Sequence, residues 1–111
     1  MPIKLSIIKK RKDFINVKLK GISTNSDNLI LQKLANKKLN NSVIVGYTAT
    51  KKLGSAVKRN KAKRLMRELV KNNLLKYGEK NFLYVLIAKK SIFDTSFENL
   101  NKEFKKLLSK K

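Results

Sequence analysis

The fold of this chain is decided by residues 43–70, VIVGYTATKKLGSAVKRNKAKRLMRELV. β-branched residues dominate the beginning of this stretch and predict a strand over residues 43–50. Ser55 then provides a suitable helix N-cap, because its hydroxyl can accept a hydrogen bond from the first turn. After Ser55, apolar residues recur at intervals of three and four, which predicts a helix over about residues 55–73.

Two further strands are predicted around this unit. Residues 82–88, FLYVLIA, are apolar throughout, as in a strand that is buried on both faces of a sheet. A strand, a helix and a strand in succession predict parallel pairing between residues 43–50 and 82–88, provided that the two strands are neighbours. Residues 28–34, NLILQKL, are predicted to form the remaining strand.

Helices are predicted towards both ends of the chain. Residues 9–20 carry apolar side chains among charged ones and stop at Gly21, a common helix terminator. TSFE at residues 95–98 is a capping-box sequence, and apolar residues follow it at helical spacing nearly to the C-terminus. The predicted order is α-β-β-α-β-α, an α+β fold with helices packed on a small three-stranded sheet in two layers. The length of 111 residues predicts a single domain spanning residues 1–111.

The composition excludes several classes of protein. The chain has no Cys and no His, which excludes disulfide scaffolds, thiolate zinc sites and cysteine nucleophiles. Its longest apolar run, residues 82–88, is far shorter than the ~20 residues that span a bilayer, and its first apolar stretch is too short for a secretory signal. Lys and Arg number 28 against seven Asp and Glu, a formal net charge of +21. We therefore expect a cytoplasmic protein that binds a polyanion.

The positive charge is concentrated in and just before the predicted central helix. Residues 51–67 hold eight basic residues and no acid: Lys51, Lys52, Lys58, Arg59, Lys61, Lys63, Arg64 and Arg67. Arg59, Lys63 and Arg67 recur every four residues, which predicts that they share one exposed helix face. Asn60 and Arg64 share a neighbouring face. Such runs are often only solvated surface, but the missing Glu partners and the concentration of Arg favour a nucleic acid.

A second surface is predicted on the strand at residues 43–50. Thr48 and Thr50 are two residues apart, so their hydroxyls are expected on one sheet face together with Gly46. Beside Lys52, this face fits either a groove for an extended single strand of nucleic acid or an edge covered by the N-terminal helix. The aromatic candidates for stacking on bases are Phe14, Tyr47, Tyr77 and Tyr84, although core packing is the commoner role of such residues.

The sequence does not support independent catalysis. The acids are Asp13, Asp27, Glu68, Glu79, Asp94, Glu98 and Glu103, and none forms a short-range pair of the kind that holds a metal ion. Glu98 is explained as part of the capping box. No nucleophile with a neighbouring base stands out, so no catalytic and no metal-ligating residue is assigned.

Residues 51–68, KKLGSAVKRNKAKRLMRE, closely resemble the signature of the bacterial ribonuclease P protein family. That pattern is approximately K-K-x-G-x-A-V-x-R-N-x-x-K-R-x-x-R-E. The resemblance covers nearly the whole chain, because KKRKDF at residues 9–14 resembles the first helix of the family and VGYTATKK at residues 45–52 its second strand. LIAKK at residues 86–90 resembles the end of its third strand.

The resemblance implies the α+β fold of that family, with a left-handed β-α-β crossover, and the function of a ribozyme subunit. In the family, the RNA subunit performs Mg²⁺-dependent hydrolysis of precursor tRNA and releases the 5′ leader. The implied partners of this RNA-binding domain are the catalytic RNA and precursor tRNA, with no membrane or further protein partner. The implied cofactor is Mg²⁺, held mainly by the RNA, and the protein alone is expected to be inactive. The alternatives are a structural ribosomal protein and a nucleoid-type DNA-binding protein, which have a similar size and charge.

The resemblance also assigns residues to two RNA surfaces. The basic signature is expected to bind the RNA subunit through Lys58, Arg59, Asn60, Lys61, Lys63, Arg64 and Arg67. A cleft between the first helix and the sheet is expected to hold the leader through Phe14, Lys18, Thr48, Thr50, Lys51 and Lys52. Lys61 stands where the family often has Arg, and Lys18 where a second cleft aromatic is common. Leu29 and Gln32 replace aromatics of the first strand, so leader binding is expected to depend more on charge than on stacking.

Overall fold

The computed structural model describes residues 4–39 and 41–109, which form five strands and three α-helices. In chain order these are β1 (Lys4–Ile7), α1 (Arg11–Lys20), β2 (Ile22–Asn25), β3 (Leu29–Ala35), β4 (Ser42–Thr48), α2 (Ala56–Tyr77), β5 (Phe82–Ala88) and α3 (Phe97–Ser109). Short 3₁₀ segments at Lys37–Leu39, Lys51–Leu53 and Lys90–Asp94 join the larger elements.

The three predicted strands are present as β3, β4 and β5 and form the centre of a sheet with the order β1-β4-β5-β3-β2. β4 lies parallel to β5, from Val43 opposite Phe82 to Thr48 opposite Ile87, which confirms the predicted parallel pairing. β1 is parallel to β4, whereas β3 is antiparallel to β5 and β2 is antiparallel to β3. Helix α2 therefore connects two strands that are direct neighbours.

The prediction of a three-stranded sheet is wrong, because β1 and β2 add one strand at each edge. Both are only four residues long, and β2 contains a single apolar residue, Ile22. Segments this short carry too little alternation for a strand pattern to stand out. The pairing with β4 also continues past β1, since the backbone N–H of Ile8 donates to Val45 O at 2.9 Å. Helix α1 consequently begins at Arg11, not at Lys9.

The sheet buries apolar side chains on both faces. On one face, α2 and α3 cover a large core, which includes Met66, Leu69, Leu86, Phe104 and Leu107. On the opposite face, α1 covers a smaller cluster of Ile8, Val17, Leu83 and Val85. The predicted α+β fold, with helices packed on a small sheet, is confirmed. The sheet with α2 and α3 forms its two main layers, and α1 adds a partial layer on the other side.

The central strand β5 belongs to both cores. Tyr84 and Leu86 face α2 and α3, whereas Leu83 and Val85 face α1, and each of the four is at most 5% exposed. Burial of this strand on both faces, which its apolar sequence predicted, is thus confirmed. The Tyr84 hydroxyl accepts a hydrogen bond from the backbone N–H of Glu79 at 2.8 Å. Each fully buried Val or Leu side chain contributes about 1.5–3 kcal/mol to the stability of the fold. The side chains of β5 therefore stabilise both cores.

Helix α2 is longer than predicted and ends at Tyr77 instead of near residue 73. Leu74 extends its buried stripe and is 1% exposed. Gly78 then ends the helix, and its backbone N–H donates to Leu74 O at 2.7 Å. Neither α2 nor any other helix in the described ranges is both long and apolar enough to cross a membrane.

The starts of α2 and α3 are both capped by serine. The Ser55 hydroxyl accepts a hydrogen bond from a backbone N–H of the first turn of α2 at 3.4 Å, as the sequence predicted. The capping box beginning at Thr95 is wrong, because Ser96 accepts from the backbone N–H of Asn99 at 3.1 Å and α3 begins with the next residue. Two adjacent hydroxyl residues made the start ambiguous in sequence. Glu98 instead lies in the first turn, where its negative charge favours the helix dipole.

Helix α1 contacts the sheet through Phe14, whose ring lies directly against Gly46 on β4. A Cβ atom at Gly46 would lie 2.5 Å from Phe14 Cε1 and 2.6 Å from Phe14 Cζ. Gly46 is buried and Phe14 is half-buried. The missing side chain therefore lets an aromatic ring approach the strand backbone, and it sets the distance between α1 and β4.

We predict that Gly46→Ala destabilises the protein by about 1–3 kcal/mol, because the added methyl group displaces the Phe14 ring. Urea unfolding followed by circular dichroism measures this change. In a Phe14→Ala background, the same substitution should cost less, since the ring is gone and only Ile8 Cδ1, 3.0 Å from the added Cβ atom, must shift. An equal cost in both backgrounds would contradict the contact.

Candidate nucleic-acid interface

The predicted RNA-subunit residues lie in α2 between Lys58 and Arg67, nearer its N-terminus than its C-terminus. Lys58, Asn60, Lys61, Arg64 and Arg67 are exposed, whereas Arg59 and Lys63 are half-buried. The first turn of α2 contains no acidic residue. Its cations therefore lie near the positive end of the helix dipole without an acid in the same turn, although Asp94, from the 3₁₀ segment after β5, lines a pocket with Lys58 and Lys61. An anion bound here would relieve both their mutual repulsion and the unfavourable dipole interaction.

Arg59, Lys63 and Arg67 do not form the fully exposed face that their spacing predicted. The buried stripe of α2 includes Ala62 and Met66, both 0% exposed. At 100° per residue, the three cations follow one flank of this stripe, close to the sheet. Arg64 and Asn60 project farther from the sheet and are exposed. The outward surface of the signature is thus centred on Arg64 and Asn60.

Three cations of the signature are held by contacts within the protein. Arg59 Nη1 donates a hydrogen bond to Gly54 O at 3.1 Å. The Arg67 guanidinium lies 5.9 Å from the centre of the Tyr47 ring, and Lys61 Nζ lies 5.9 Å from the centre of the Phe93 ring. Such cation–π contacts limit the motion of long side chains. Part of the positive surface is therefore fixed in position before any ligand binds.

Tyr47 is a support for Arg67 and not a free stacking surface. It is half-buried on the α2 side of β4 and packs against the large core. Burial raises the pKa of the Tyr47 hydroxyl, and the positive charge of Arg67 partly opposes that rise. The phenol therefore stays neutral at pH 7, and its ring faces the guanidinium.

A second surface lies on the sheet face that α1 covers in part. Ile30 on β3, Ile87 on β5 and Thr48 on β4 are paired across the sheet and share this face. All three are half-buried. We call these three residues the open row. Phe14 stands beside the row, because its ring lies over Gly46, two residues before Thr48 on the same strand.

The residues predicted to bind the leader are divided between this face and the loop that follows β4. Phe14 and Thr48 lie on the same side of the sheet, and Lys18 is exposed one turn after Phe14 on α1. Thr50 is outside the strand, since β4 ends at Thr48. The prediction that both threonine hydroxyls share a sheet face is therefore wrong for Thr50.

Lys51 and Lys52 lie in a short 3₁₀ segment that links the two surfaces. Both side chains are exposed, while Leu53 beside them is 2% exposed and anchors the segment in the core. The chain passes directly from the open row at Thr48, through these lysines, to the start of α2. The two predicted RNA surfaces are thus adjacent and joined by a positively charged segment.

The remaining aromatic candidates have different environments. Tyr84 is 1% exposed and belongs to the core, whereas Tyr77 is 48% exposed at the far end of α2. Of the two residues that replace family aromatics, Leu29 is 0% exposed in the opposite core, and only Gln32 faces α1. Ile30 and Ile87 of the open row were not predicted from the sequence, although strand alternation relative to Leu29 and Leu86 could have placed them on this face.

Two neighbours of the basic signature, Lys90 and Phe93, were also not predicted from the sequence. Lys58 and Lys61 line a surface pocket of about 230 Å³ together with Leu53, Lys90, Phe93 and Asp94. Lys90 and Phe93 lie in the 3₁₀ segment after β5, whose sequence has no periodic pattern. Their approach to α2 could not be predicted from local spacing.

Within residues 4–39 and 41–109, no three Asp, Glu, His or Cys side chains come close enough together to hold a metal ion. Glu103 is engaged in the structure, because its carboxylate accepts hydrogen bonds from Asn28 N at 3.0 Å and Asn28 Nδ2 at 2.7 Å. The described donor groups thus do not fit a Mg²⁺ site held by the protein alone.

Comparisons with known proteins identify the family of the chain. The family model described as Ribonuclease P matches residues 3–111. The ribonuclease P protein component of Bacillus velezensis is 35% identical over 103 residues, 93% of this chain and 86% of the relative. That of Clostridium botulinum is 33% identical over 93% of this chain and 91% of its own length.

Solved structures show the same fold. The RNase P protein of Staphylococcus aureus superposes with a TM-score of 0.79 at 28% identity, over 92% of this chain and 91% of the other. The RNase P protein of Thermotoga maritima gives a TM-score of 0.78 at 25% identity, over 91% and 93% of the two chains. The family match extends along the chain, and the fold agrees with both structures. The chain therefore belongs to the bacterial ribonuclease P protein component family.

Proposed function

We propose that this chain binds the catalytic RNA of ribonuclease P through the N-terminal half of α2 and the 5′ leader of precursor tRNA through the open row beside Phe14. As a ribonuclease P protein component, it is a subunit of a tRNA-processing endoribonuclease. Beyond this role, α2 is assigned to the catalytic RNA and the open row to the leader. The hydrolysis is assigned to the RNA subunit with Mg²⁺, so that the protein contributes binding and position.

The adjacency of the two surfaces carries this proposal. The exposed cations of α2 begin immediately after the 3₁₀ segment that leaves the open row at Thr48. A substrate strand in the row and a structured RNA on α2 would therefore meet near Lys51 and Lys52. A single precursor tRNA bound to the catalytic RNA presents its leader in this way, next to the RNA that cleaves it.

The chemistry of each surface matches its proposed ligand. Arg64 and its neighbours can form charge-assisted hydrogen bonds with phosphate, which suits a structured RNA backbone. The open row presents isoleucine side chains, one hydroxyl and the nearby Phe14 ring, which suits unpaired bases. Its low charge explains why phosphate contacts would come from the rim, at Lys18, Lys51 and Lys52.

The described donor groups favour an RNA-held metal over a protein-held one. Mg²⁺ prefers several oxygen ligands in octahedral geometry, with carboxylates or phosphates among them. The described residues lack such a carboxylate cluster, whereas RNA phosphates supply oxygen ligands in abundance. When bound, the metal would stabilise charge on the scissile phosphate, and the residues of this chain would orient the two RNAs.

We predict that the purified chain, free of RNA, does not cleave precursor tRNA, because the residues that the structure describes include no cluster of carboxylates that could hold a metal ion. With the matching RNA subunit and Mg²⁺, we expect a single cut at the mature 5′ end. Gel analysis of end-labelled precursor distinguishes the two results. Metal-dependent cleavage by the RNA-free protein would contradict the assignment, and binding to ribosomal RNA or genomic DNA in preference to the RNA subunit would favour the alternatives.

Arg64→Ala should weaken binding to the RNA subunit about 10- to 100-fold, because a charge-assisted contact contributes about 1.5–3 kcal/mol. The salt dependence of log Kd should also lose about one unit of slope on duplex-like RNA. Lys71→Ala is the matched control, since Lys71 is exposed on α2 beyond the signature. Filter binding at several salt concentrations measures both variants. Equal losses in the two would indicate a general charge effect in place of a defined contact.

Phe14→Leu should spare binding to the RNA subunit and reduce the preference of the holoenzyme for precursor over mature tRNA. Leucine keeps apolar contact with Gly46 but removes the ring, and one stacked base contributes about 1–3 kcal/mol, or about 5- to 140-fold in affinity. Ile15→Ala on the exposed side of α1 is the control. Thermal melting must show that both variants fold. A folded Phe14→Leu protein with an unchanged preference would remove Phe14 from the leader site.

A further inference from the structure

A polar groove between α2 and α3 is used by neither of the two proposed RNA surfaces. It has a volume of about 340 Å³ and is lined by Asn72, Asn73, Lys76, Tyr77, Asn101 and Lys105. The lining contains two cations, three amides and one phenol, and no carboxylate. Along the axis of α2, Lys76 lies ~18 Å beyond Arg64. The groove is thus separate from the basic signature, although both are on the same helix.

Tyr77 gives this groove an aromatic surface that the core does not use. Its side chain is 48% exposed, in contrast to the buried Tyr84 and Phe104. Lys105 Nζ lies 5.4 Å from the centre of the Tyr77 ring. An exposed ring beside a cation is the arrangement on which an unpaired base can stack while its phosphate is neutralised. Lys76, the neighbour of Tyr77 on α2, adds a second cation to the rim.

A fixed pair of amides forms the floor of the groove. Asn73 is 2% exposed and lies in the buried stripe of α2. Its Nδ2 donates to Leu69 O at 2.9 Å and to Asn101 Oδ1 at 2.9 Å. The orientation of the Asn101 amide is therefore determined, and its NH₂ group makes no hydrogen bond within the described part of the chain. An oriented amide donor of this kind can pair with a base carbonyl or ring nitrogen.

We propose that the α2–α3 groove binds an unpaired segment of RNA, with a base stacked on Tyr77 and read by Asn101, and with flanking phosphates held by Lys76 and Lys105. The site goes beyond the proposed function, because it is a third RNA contact built from residues that neither surface uses. Unpaired RNA accounts for the exposed ring, the oriented amide and the two lysines together. An acidic peptide would satisfy the two lysines but leave the ring and the oriented amide without a role.

The test is an NMR titration of the ¹⁵N-labelled full chain with RNA oligonucleotides of four nucleotides, in a buffer without sulfate or phosphate. We expect saturable shifts of the Asn101 side-chain NH₂ and of the Tyr77 backbone amide. Inorganic tripolyphosphate, which has charge but no base, should shift the basic signature and leave Asn101 unmoved. Tyr77→Ala should weaken the binding measured at Asn101 about tenfold or more, whereas Tyr77→Phe keeps the ring and should preserve it.

Arg64→Ala separates this proposal from the proposed function. It should weaken the shifts at the basic signature and leave those at Asn101 unchanged. Oligonucleotide shifts confined to the signature and the open row would overturn the groove site while leaving the proposed function intact. Equal shifts of Asn101 with tripolyphosphate, or stronger shifts with a glutamate oligopeptide than with RNA, would also overturn it. Thermal melting of each variant in sulfate verifies that the fold is kept.

Discussion

Burial of β5 from both sides is the constraint on which the rest of the structure depends. Leu83 and Val85 close the smaller core under α1, and Tyr84 and Leu86 close the larger one under α2 and α3. A strand that is apolar on both faces can lie only in the middle of the sheet. Its parallel neighbour β4 is then fixed in register, and α2 must cross one face of the sheet to connect the two. The position of the basic helix follows from that crossing.

The same arrangement brings chemically different surfaces to one end of β4. Because successive side chains of a strand point to opposite faces, Tyr47 supports Arg67 on the α2 side while Thr48 belongs to the open row on the other. The residues that follow leave the sheet and carry exposed lysines to the start of α2. The surfaces on the two faces of the sheet therefore meet at the end of β4, and the strand itself contributes little charge.

Local sequence patterns predicted the elements whose signal is strong and complete within a few residues. FLYVLIA, the Ser55 cap and the apolar spacing of α2 are of this kind, and each is present in the structure. β1 and β2 were missed because their stability comes from their partners more than from their own sequences. β1 pairs with β4, which is distant in sequence, and β2 pairs with β3, whose other edge is bonded to β5. Thr50 was misplaced for a related reason. β4 ends at Thr48, and the chain then enters the 3₁₀ segment that contains the buried Leu53. Alternation alone carries no information about where a strand ends.

The signature residues were identified by type and spacing, but their surroundings were not. Spacing showed that Arg59, Lys63 and Arg67 share a flank of α2. Which flank faces the sheet depends on how the helix is rotated against β4 and β5, which only the packed structure shows. The neighbours Lys90 and Phe93 come from a segment without periodicity, so their approach to Lys61 required the three-dimensional fold.

The cations in the first turns of α2, where the helix itself supplies no acid to the first turn, have a consequence for the stability of the free protein. Like charges held at the positive end of a helix dipole lower the stability of the free chain, and a bound polyanion restores it by mass action. Copies without a bound polyanion are therefore expected to open more often than copies with one. The free energy of unfolding then depends on the concentration of the ligand as well as on the contacts within the fold.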